Sequence, residues 1–360
     1  MIGGSHENMS IIAEKLKKLG LFSMYGYLEK DPEENLPKLL DWLDTYITDD
    51  VLKPQREIFR KIIEDEDNNW YRLIVSLWSD IDDDVRKTLF ENIIINANAL
   101  ASHTVERNRK KYKCNIPWVI SIELDQNQGS AALDFDRWDD VIEQAKSLGT
   151  FIFIFHGGEP LNAEEEIIAL CNKHSECEFM IYTDGKKLDE KFVQNMLRVR
   201  NLIVGLQIEG RKLSKAAERA AKLLHSYKLP YIGMCFYDKD NQDEFNEEAF
   251  FDELIEQGFK MILFLSSLKE EDDRLYDMIQ KLRETKPIMS IDFCKDRELT
   301  GGCVAGGRYY CNINVEGGVE PCFFVRQSDS NVLEKSLVEA YQAPLFMSCY
   351  NEHFRCPAVE

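Results

Sequence analysis

The turn at residues 157–160 is the part of this sequence best suited to hold a ligand. A run of apolar residues, 151–155, leads into it and predicts a buried parallel strand. In α/β proteins the chemistry lies at the carboxyl ends of such strands. Two glycines permit unusual φ angles and close approach of the backbone to a ligand, and a proline then ends the strand. The turn consists of Gly157, Gly158, Glu159 and Pro160.

Cysteine is the second residue type here that could do chemistry. The chain has ten cysteines, and they are concentrated near its end. In a reducing compartment such a concentration indicates metal binding more than disulfides. Six of them follow residue 293: Cys294, Cys303, Cys311, Cys322, Cys349 and Cys356.

The turn and its strand resemble the S-adenosylmethionine (SAM) binding loop of the radical SAM superfamily. The resemblance extends to the segment Cys114-Asn115-Ile116-Pro117-Trp118 and to Gln207-Ile208-Glu209-Gly210. It implies that Glu159 and the turn backbone help to hold the methionine amino group of SAM, and that Glu209 lies near the ribose. The alternative is a fold-defining turn that has outlived its ligand, so SAM binding is doubtful.

The family's radical-generating motif is missing from this chain. In the family, Cys-x3-Cys-x2-Cys follows the first barrel strand and holds a [4Fe–4S] cluster whose open iron binds SAM. Here no cysteine lies between Cys114 and Cys171. Asp125 and Gln126 are oxygen ligands, which replace thiolates poorly around iron–sulfur. The loops after several strands also look short, which indicates lost or remodelled catalysis on a retained scaffold.

The C-terminal region resembles the first half of a SPASM or twitch domain, which carries auxiliary clusters. The spacing from Gly317 to Cys322 follows that pattern, and Cys303 and Cys356 also have counterparts. Cys311 and Cys349 have none but lie in range. The resemblance implies an auxiliary [4Fe–4S] cluster with one non-standard ligand; a zinc ion or a metal-free hairpin are the alternatives.

Three regions follow from the periodicity. Residues 1–110 show helical spacing without strand signals and predict an N-terminal helical domain. Residues 111–293 alternate strand and helix, which predicts a parallel sheet: an α/β fold, read as a partial (β/α)6 TIM-like barrel. Residues 294–360 form the cysteine-rich region. Periodicity alone leaves a doubly wound open sheet as an alternative.

Charge and composition exclude some partners. The formal net charge of −20 argues against a nucleic acid, whose phosphates need a basic face, and against anionic membranes. The sequence has no apolar run of membrane-spanning length and does not begin with a secretion signal, so we expect a cytoplasmic protein.

Three hypotheses about function remain. The first is a radical SAM-like pseudoenzyme that binds, positions or regulates a protein or peptide partner, such as a complete relative or its substrate. The second is an active radical SAM/SPASM-type iron–sulfur oxidoreductase that modifies a peptide or small molecule. The third is a module that binds SAM or a nucleotide for polar chemistry, and it rests on the 157–160 turn alone.

Overall fold

The computed structural model describes residues 3–46, 60–124, 134–210, 212–238, 240–245, 247–266, 273–298 and 302–350. The first part of the chain is helical, as predicted. A small core of Leu28, Leu36, Ile63 and Tyr71 joins its first helices. Its helices are Gly3–Leu28, Pro32–Tyr46, Asn69–Asp80, Asp83–Leu89, the π-helix Phe90–Leu100, and Ala101–Tyr112.

A curved sheet with nine strands in the described residues forms the body of the molecule, in the order β7-β6-β5-β4-β3-β2-β1-β8-β9. Every neighbouring pair is parallel except β8 and β9, which run antiparallel. The strands are β1 Val119–Glu123, β2 Ile152–His156, β3 Glu178–Thr183, β4 Leu202–Ile208, β5 Tyr231–Tyr237, β6 Met261–Ser266, β7 Met289–Asp292, β8 Tyr310–Ile313 and β9 Val319–Glu320.

Helices cover the outer face of this sheet. Those after β1, β3 and β4 begin where an Asp or Ser side chain accepts a hydrogen bond from the third helical N–H: Asp134 from Arg137, Asp189 from Phe192 and Ser214 from Ala217. The helices are Phe135–Leu148, Glu164–Lys173, Glu190–Val199, Lys215–Ser226, Gln242–Phe245, Glu248–Glu256, Arg274–Thr285, Leu337–Tyr341 and Pro344–Tyr350, with 3-10 turns at Pro160–Ala163 and Lys295–Glu298.

Side-chain alternation along the strands separates two apolar layers. Phe153 and Phe155 of β2 enter the large core beneath the helices, whereas Ile154 faces the other side of the sheet. On that concave side, Phe323 contacts residues of β2, β5 and β8. A flat sheet could not bring these strands to one ring, so the sheet curves into the predicted partial barrel.

The sheet extends beyond the predicted six strands. Strand β8 lies in the predicted C-terminal region but pairs in parallel with β1, with Ser121 opposite Asn312. Residues 310–320 therefore continue the barrel sheet, and the division at residue 294 remains a prediction about domains. None of the helices in the described ranges is long and apolar enough to cross a membrane.

The free edge of β7 is closed by side chains. Arg283 Nε donates to the Ser290 carbonyl at 2.6 Å, and the Asp296 carboxylate accepts from the Asp292 N–H at 2.8 Å. Arg283 and Asp296 also form an ion pair with each other. These contacts occupy backbone groups that would otherwise be open to another strand.

The π-helix closes the amino end of the barrel. Asn92 donates to the Cys177 carbonyl at 2.9 Å and to the Glu178 carboxyl at 3.3 Å. Glu178 is 1% exposed, and its other carboxyl oxygen has no hydrogen-bond partner among the described residues. Burial raises the pKa of Glu178 well above its usual range, although the hydrogen bond from Asn92 opposes the shift.

We expect Glu178→Gln to stabilise the protein at neutral and alkaline pH. A carboxyl group whose pKa is raised by folding contributes stability below its unfolded pKa, and this contribution is lost as pH rises through the folded pKa. Removing the titration should flatten the pH dependence by up to about 1.4 kcal/mol per pH unit above pH ~5. Urea unfolding between pH 5.5 and 8.5, with exposed Glu284→Gln as control, measures this; equal slopes in wild type and Glu178→Gln would contradict it.

Candidate functional site

The 157–160 turn lies at the carboxyl end of β2, as predicted. Gly157 and Gly158 have φ angles of 79° and 53°, which L side chains rarely adopt. A Cβ on Gly157 would lie 2.6 Å from Cγ of Glu123 and 3.1 Å from the carbonyl oxygen of Leu124. The first glycine is therefore required by the chain itself, because the turn packs against the end of β1.

Glu159 is bound by the protein's own donors. Its carboxylate accepts from the Leu161 N–H at 3.0 Å and from the Thr183 hydroxyl at 2.8 and 2.9 Å. It thereby caps the 3-10 turn that begins at Pro160 and ties it to the end of β3. This arrangement gives Glu159 a structural role whether or not a ligand binds there.

Two carboxyl groups meet at this point with opposite shifts. Burial raises the pKa of Glu159, and the charge of neighbouring Asp184 adds to the rise. Burial would also raise the pKa of Asp184, but hydrogen bonds from Lys186 outweigh burial and lower it. Lys186 Nζ lies 2.8 Å from Asp184. The two pKa values shift in opposite directions because Asp184 is hydrogen-bonded to a cation, Lys186.

Glu209 lies at the end of β4 and is exposed. Gln207 Nε2 donates to its Oε1 at 2.6 Å, which orients the carboxylate. Glu209 and Glu159 are both among the charges that raise the pKa of Lys186, after the larger effect of its hydrogen bond to Asp184. The structure thus brings the two predicted SAM-contacting glutamates to the same edge of the barrel, around one lysine.

The end of β1 is joined to the C-terminal region by an ion pair. Arg326 donates through both terminal nitrogens to Glu123, with Nη2 at 2.8 Å from Oε1. It also lies 3.8 Å from Glu320. The pKa of Arg326 is raised, chiefly by its hydrogen bond to Glu123. In the radical SAM proteins that the sequence resembles, the loop that holds the cluster follows the corresponding strand end.

A chain of buried polar groups lies inside the barrel below this ion pair. Asn312 Oδ1 lies 2.8 Å from His156 Nε2 and accepts from the Ser121 hydroxyl at 2.5 Å. Asn312 Nδ2 donates to Glu320 at 2.8 Å. Burial lowers the pKa of His156, although the bond to Asn312 opposes the shift. A neutral His156 with Nε2 protonated satisfies this geometry and matches a hydrogen-bonding role.

Aromatic side chains fill the barrel interior beside this network. The Phe323 ring centroid lies 5.4 Å from that of Phe293, 5.8 Å from that of Tyr310 and 6.2 Å from that of His156. Phe324 lies 4.3 Å from Phe323 and extends the group. The tail therefore places its own aromatic residues on the concave face of the sheet.

These residues do not fit the SAM-cleaving cluster. The described groups at the ends of β1 and β2 offer carboxylate, imidazole, guanidinium and amide atoms, whereas such clusters are held by thiolates. Cys114 lies at the opposite end of β1, fully buried, and burial raises its pKa to about 11. Residues 125–133 lie outside the described ranges, and their sequence contains no cysteine.

Three of the tail cysteines, Cys303, Cys322 and Cys349, lie near one turn of the chain, at residues 304–307. The Gly306 N–H donates to the Pro321 carbonyl at 3.0 Å, which places the turn after Cys303 beside Cys322. Cys349 Sγ packs against the Gly306 backbone of the same turn, since a Cβ on Gly306 would lie 2.3 Å from it. Within the described residues, no set of three or more His, Cys, Asp or Glu side chains is placed to hold a metal. Cys356 lies outside those residues.

Cys311 points away from this group. It is fully buried in the core beneath the helices, with Sγ 3.9 Å from the Tyr341 hydroxyl, and burial raises its pKa to about 12. Cys322 belongs instead to an apolar group on the concave side. Strand alternation explains the separation, because Tyr310 and Asn312 on either side of Cys311 face the barrel interior. Among the cysteines predicted as possible ligands, this placement disfavours Cys311.

Several residues that shape the site carry no recognisable signal in the sequence. Arg326, Asn312 and Phe323 come from the C-terminal region, and no local spacing marks them. Two more aromatic residues, Tyr182 and Phe236, belong to strands that periodicity located correctly, yet their apolar character resembled ordinary core.

Known proteins resemble this chain in structure and not in sequence. No protein-family model matches the sequence, and no curated protein matches it. Streptococcus suis SuiB bound to its precursor peptide SuiA superposes with a TM-score of 0.55 at 16% identity over 71% of each chain. SuiB bound to SAM gives 0.54 at 17% identity over 71% of this chain and 70% of SuiB. AdoMet-bound anSMEcpe gives 0.50 at 16% identity over 67% and 81%.

The chain shares the fold of these structures, which are radical SAM enzymes of the SPASM type. At this level of identity the similarity concerns the architecture alone, and it confirms the predicted partial barrel. A shared fold does not establish a function.

We expect Gly157→Ala to destabilise the barrel by about 1–3 kcal/mol, because a non-glycine residue at this φ is strained and its Cβ would collide with Glu123. Gly20→Ala is a suitable control: it lies in a helix with nothing within 4 Å of an added Cβ. That variant should be neutral or stabilised by up to about 1 kcal/mol. Urea unfolding followed by circular dichroism compares them, and an unchanged midpoint for Gly157→Ala would contradict the assigned geometry.

Proposed function

We propose that this chain is a radical SAM-fold pseudoenzyme that binds a peptide or protein partner and does not cleave SAM. The donor set at the carboxyl ends of β1 and β2 carries this proposal. The chain has no thiol there, and Glu123 is instead paired with Arg326. The carboxylate of Glu123, which a cofactor at this strand end would need to find free, is instead used for an ion pair within the protein.

The barrel interior supports the same proposal. Phe323 and Phe293 pack on the concave face, and Glu159 is held by Thr183 and the Leu161 N–H. These contacts retain the shape of the fold while using its interior for packing. The peptide partner is suggested by analogy with SuiB, which was solved with its precursor peptide SuiA.

The tail retains a place for one metal centre in this proposal. Cys322 and the turn after Cys303 lie together, and Cys349 packs against the same turn. With Cys356 they would supply thiolates for an auxiliary [4Fe–4S] cluster, with zinc as the alternative. When bound, an iron–sulfur cluster would supply one-electron chemistry; a zinc ion would only stabilise the tail.

Reductive SAM cleavage is the direct test. The protein is purified anaerobically, reconstituted with iron and sulfide, and incubated with SAM and dithionite. We expect no 5′-deoxyadenosine above a protein-free control, because thiolates for the first cluster are lacking. An active radical SAM enzyme run in parallel validates the assay. Multiple turnovers of 5′-deoxyadenosine would refute the proposal.

The grouping of the tail cysteines favours a second candidate, an active iron–sulfur oxidoreductase that uses the tail cluster. Cys322→Ala should abolish iron binding, from about four irons per chain, whereas Cys311→Ala should retain it because Cys311 faces the other core. Iron and sulfide analysis with EPR measures this, and circular dichroism confirms folding of both variants. Equal iron in Cys322→Ala and wild type would exclude a tail cluster and, with it, this candidate.

A further inference from the structure

A group of three aromatic side chains, called the aromatic recess below, lies near the carboxyl ends of β3 and β5 and consists of Tyr182, Phe236 and Phe323. The ring of Phe236 on β5 lies 5.6 Å from that of Tyr182 on β3 and 6.5 Å from that of Phe323. Phe236 is 41% exposed. A single exposed phenylalanine is common on protein surfaces. This one, however, continues an aromatic wall that descends into the barrel.

The hydroxyl of Tyr182 is buried and has no hydrogen-bond partner among the described residues. A buried phenol without a partner costs free energy, and most such groups in folded proteins are satisfied. A donor that reached this buried oxygen from the recess would satisfy it.

Charge around the recess favours a cation. Burial raises the pKa of Tyr182 well above its usual range, and the nearby Cys235, Glu209 and Asp184 add to the rise. Both carboxylates therefore lie close enough to act on the phenol. Lys186 is paired with Asp184, whereas Gln207 orients Glu209. Glu209 is left as the carboxylate best placed to pair with an incoming cation.

We propose that the aromatic recess binds a lysine or arginine side chain of the peptide partner. This inference rests on the proposed peptide-binding function and deepens it. The cation lies against the face of Phe236, pairs with Glu209 and donates a hydrogen bond to the Tyr182 oxygen. Aromatic faces attract ammonium and guanidinium groups electrostatically, and guanidinium groups also stack on them. The overall charge of −20 draws the same class of peptide toward the protein.

Fluorescence anisotropy with three labelled nonapeptides tests the proposal on the full chain. The peptides share a Gly/Ser background and carry three arginines, three glutamines or three glutamates. We expect the arginine peptide to bind most tightly. Phe236→Ala should weaken it about fivefold or more, the size of a partly desolvated cation–π contact. Glu209→Gln should weaken it about threefold, and less at high salt.

Two control variants separate the recess from general attraction to an acidic surface. Tyr309 is 42% exposed and lies at the start of β8, at the other end of the barrel, so Tyr309→Ala removes a comparable aromatic surface. Glu284 is exposed at the end of the helix that precedes β7, and Glu284→Gln removes the same charge as Glu209→Gln. Neither control should change binding of the arginine peptide by more than about 1.5-fold, because both residues lie at the opposite end of the barrel from the recess. Surface charges beyond a Debye length are screened.

The outcomes distinguish this inference from the proposed function. If each recess variant weakens binding no more than its control, attraction is non-specific and the recess proposal is wrong. If the glutamine or glutamate peptide binds more tightly than the arginine peptide, a peptide role survives but a cationic side chain is excluded. If none of the three binds, the recess proposal fails; cleavage of SAM in the separate assay would refute the pseudoenzyme proposal. Binding of SAM, lost in Phe236→Ala, with no peptide binding would also overturn the assignment.

Discussion

The parallel pairing of β8 with β1 is the constraint on which the rest of this structure depends. Ser121 and Asn312 face each other across that pair, and their hydrogen bond connects to His156 on β2 and to Glu320 on β9. Buried polar groups are costly unless all are paired, so this network specifies one register for the added strand. A slip by one residue would turn Asn312 into the helix-side core and Cys311 into the barrel.

The position of β8 determines what occupies the barrel. The chain leaves β9 at Glu320 and immediately crosses the concave face, where Phe323 packs against Phe293 and Tyr310. A few residues later Arg326 reaches Glu123 at the end of β1. This segment therefore supplies core side chains and an ion pair to the barrel. Because Arg326 is more than half exposed, that ion pair contributes little stability by itself and chiefly sets the position of the segment.

The same geometry brings aromatic rings, carboxylates and a buried hydroxyl together at the mouth of the barrel. The aromatic wall ends at Phe236, the carboxylates of Glu209 and Asp184 stand around it, and the Tyr182 hydroxyl lies beneath without a described partner. An interior adapted only for packing would satisfy that hydroxyl or replace it with phenylalanine. The combination is therefore the surface on which the proposed recognition of a cationic side chain depends.

Much of the architecture follows from local pattern. The alternation of apolar runs with amphipathic segments predicted a parallel sheet over residues 111–293, and β4 and β5 are among the strands found there. The helical leader, the turn after β2 and the missing cysteine motif are likewise properties of the sequence by itself, because periodicity and residue type report each residue's immediate environment. Three features needed the tertiary structure. Pairing of β8 with β1 joins residues almost 200 positions apart, and β8 alone resembles any short apolar segment. The separation of Cys311 from Cys322, and the assembly of Tyr182, Phe236 and Phe323 into one recess, depend on sheet curvature and on the side of each strand that faces the barrel. Those are decided by long-range packing, which no local spacing of residues records.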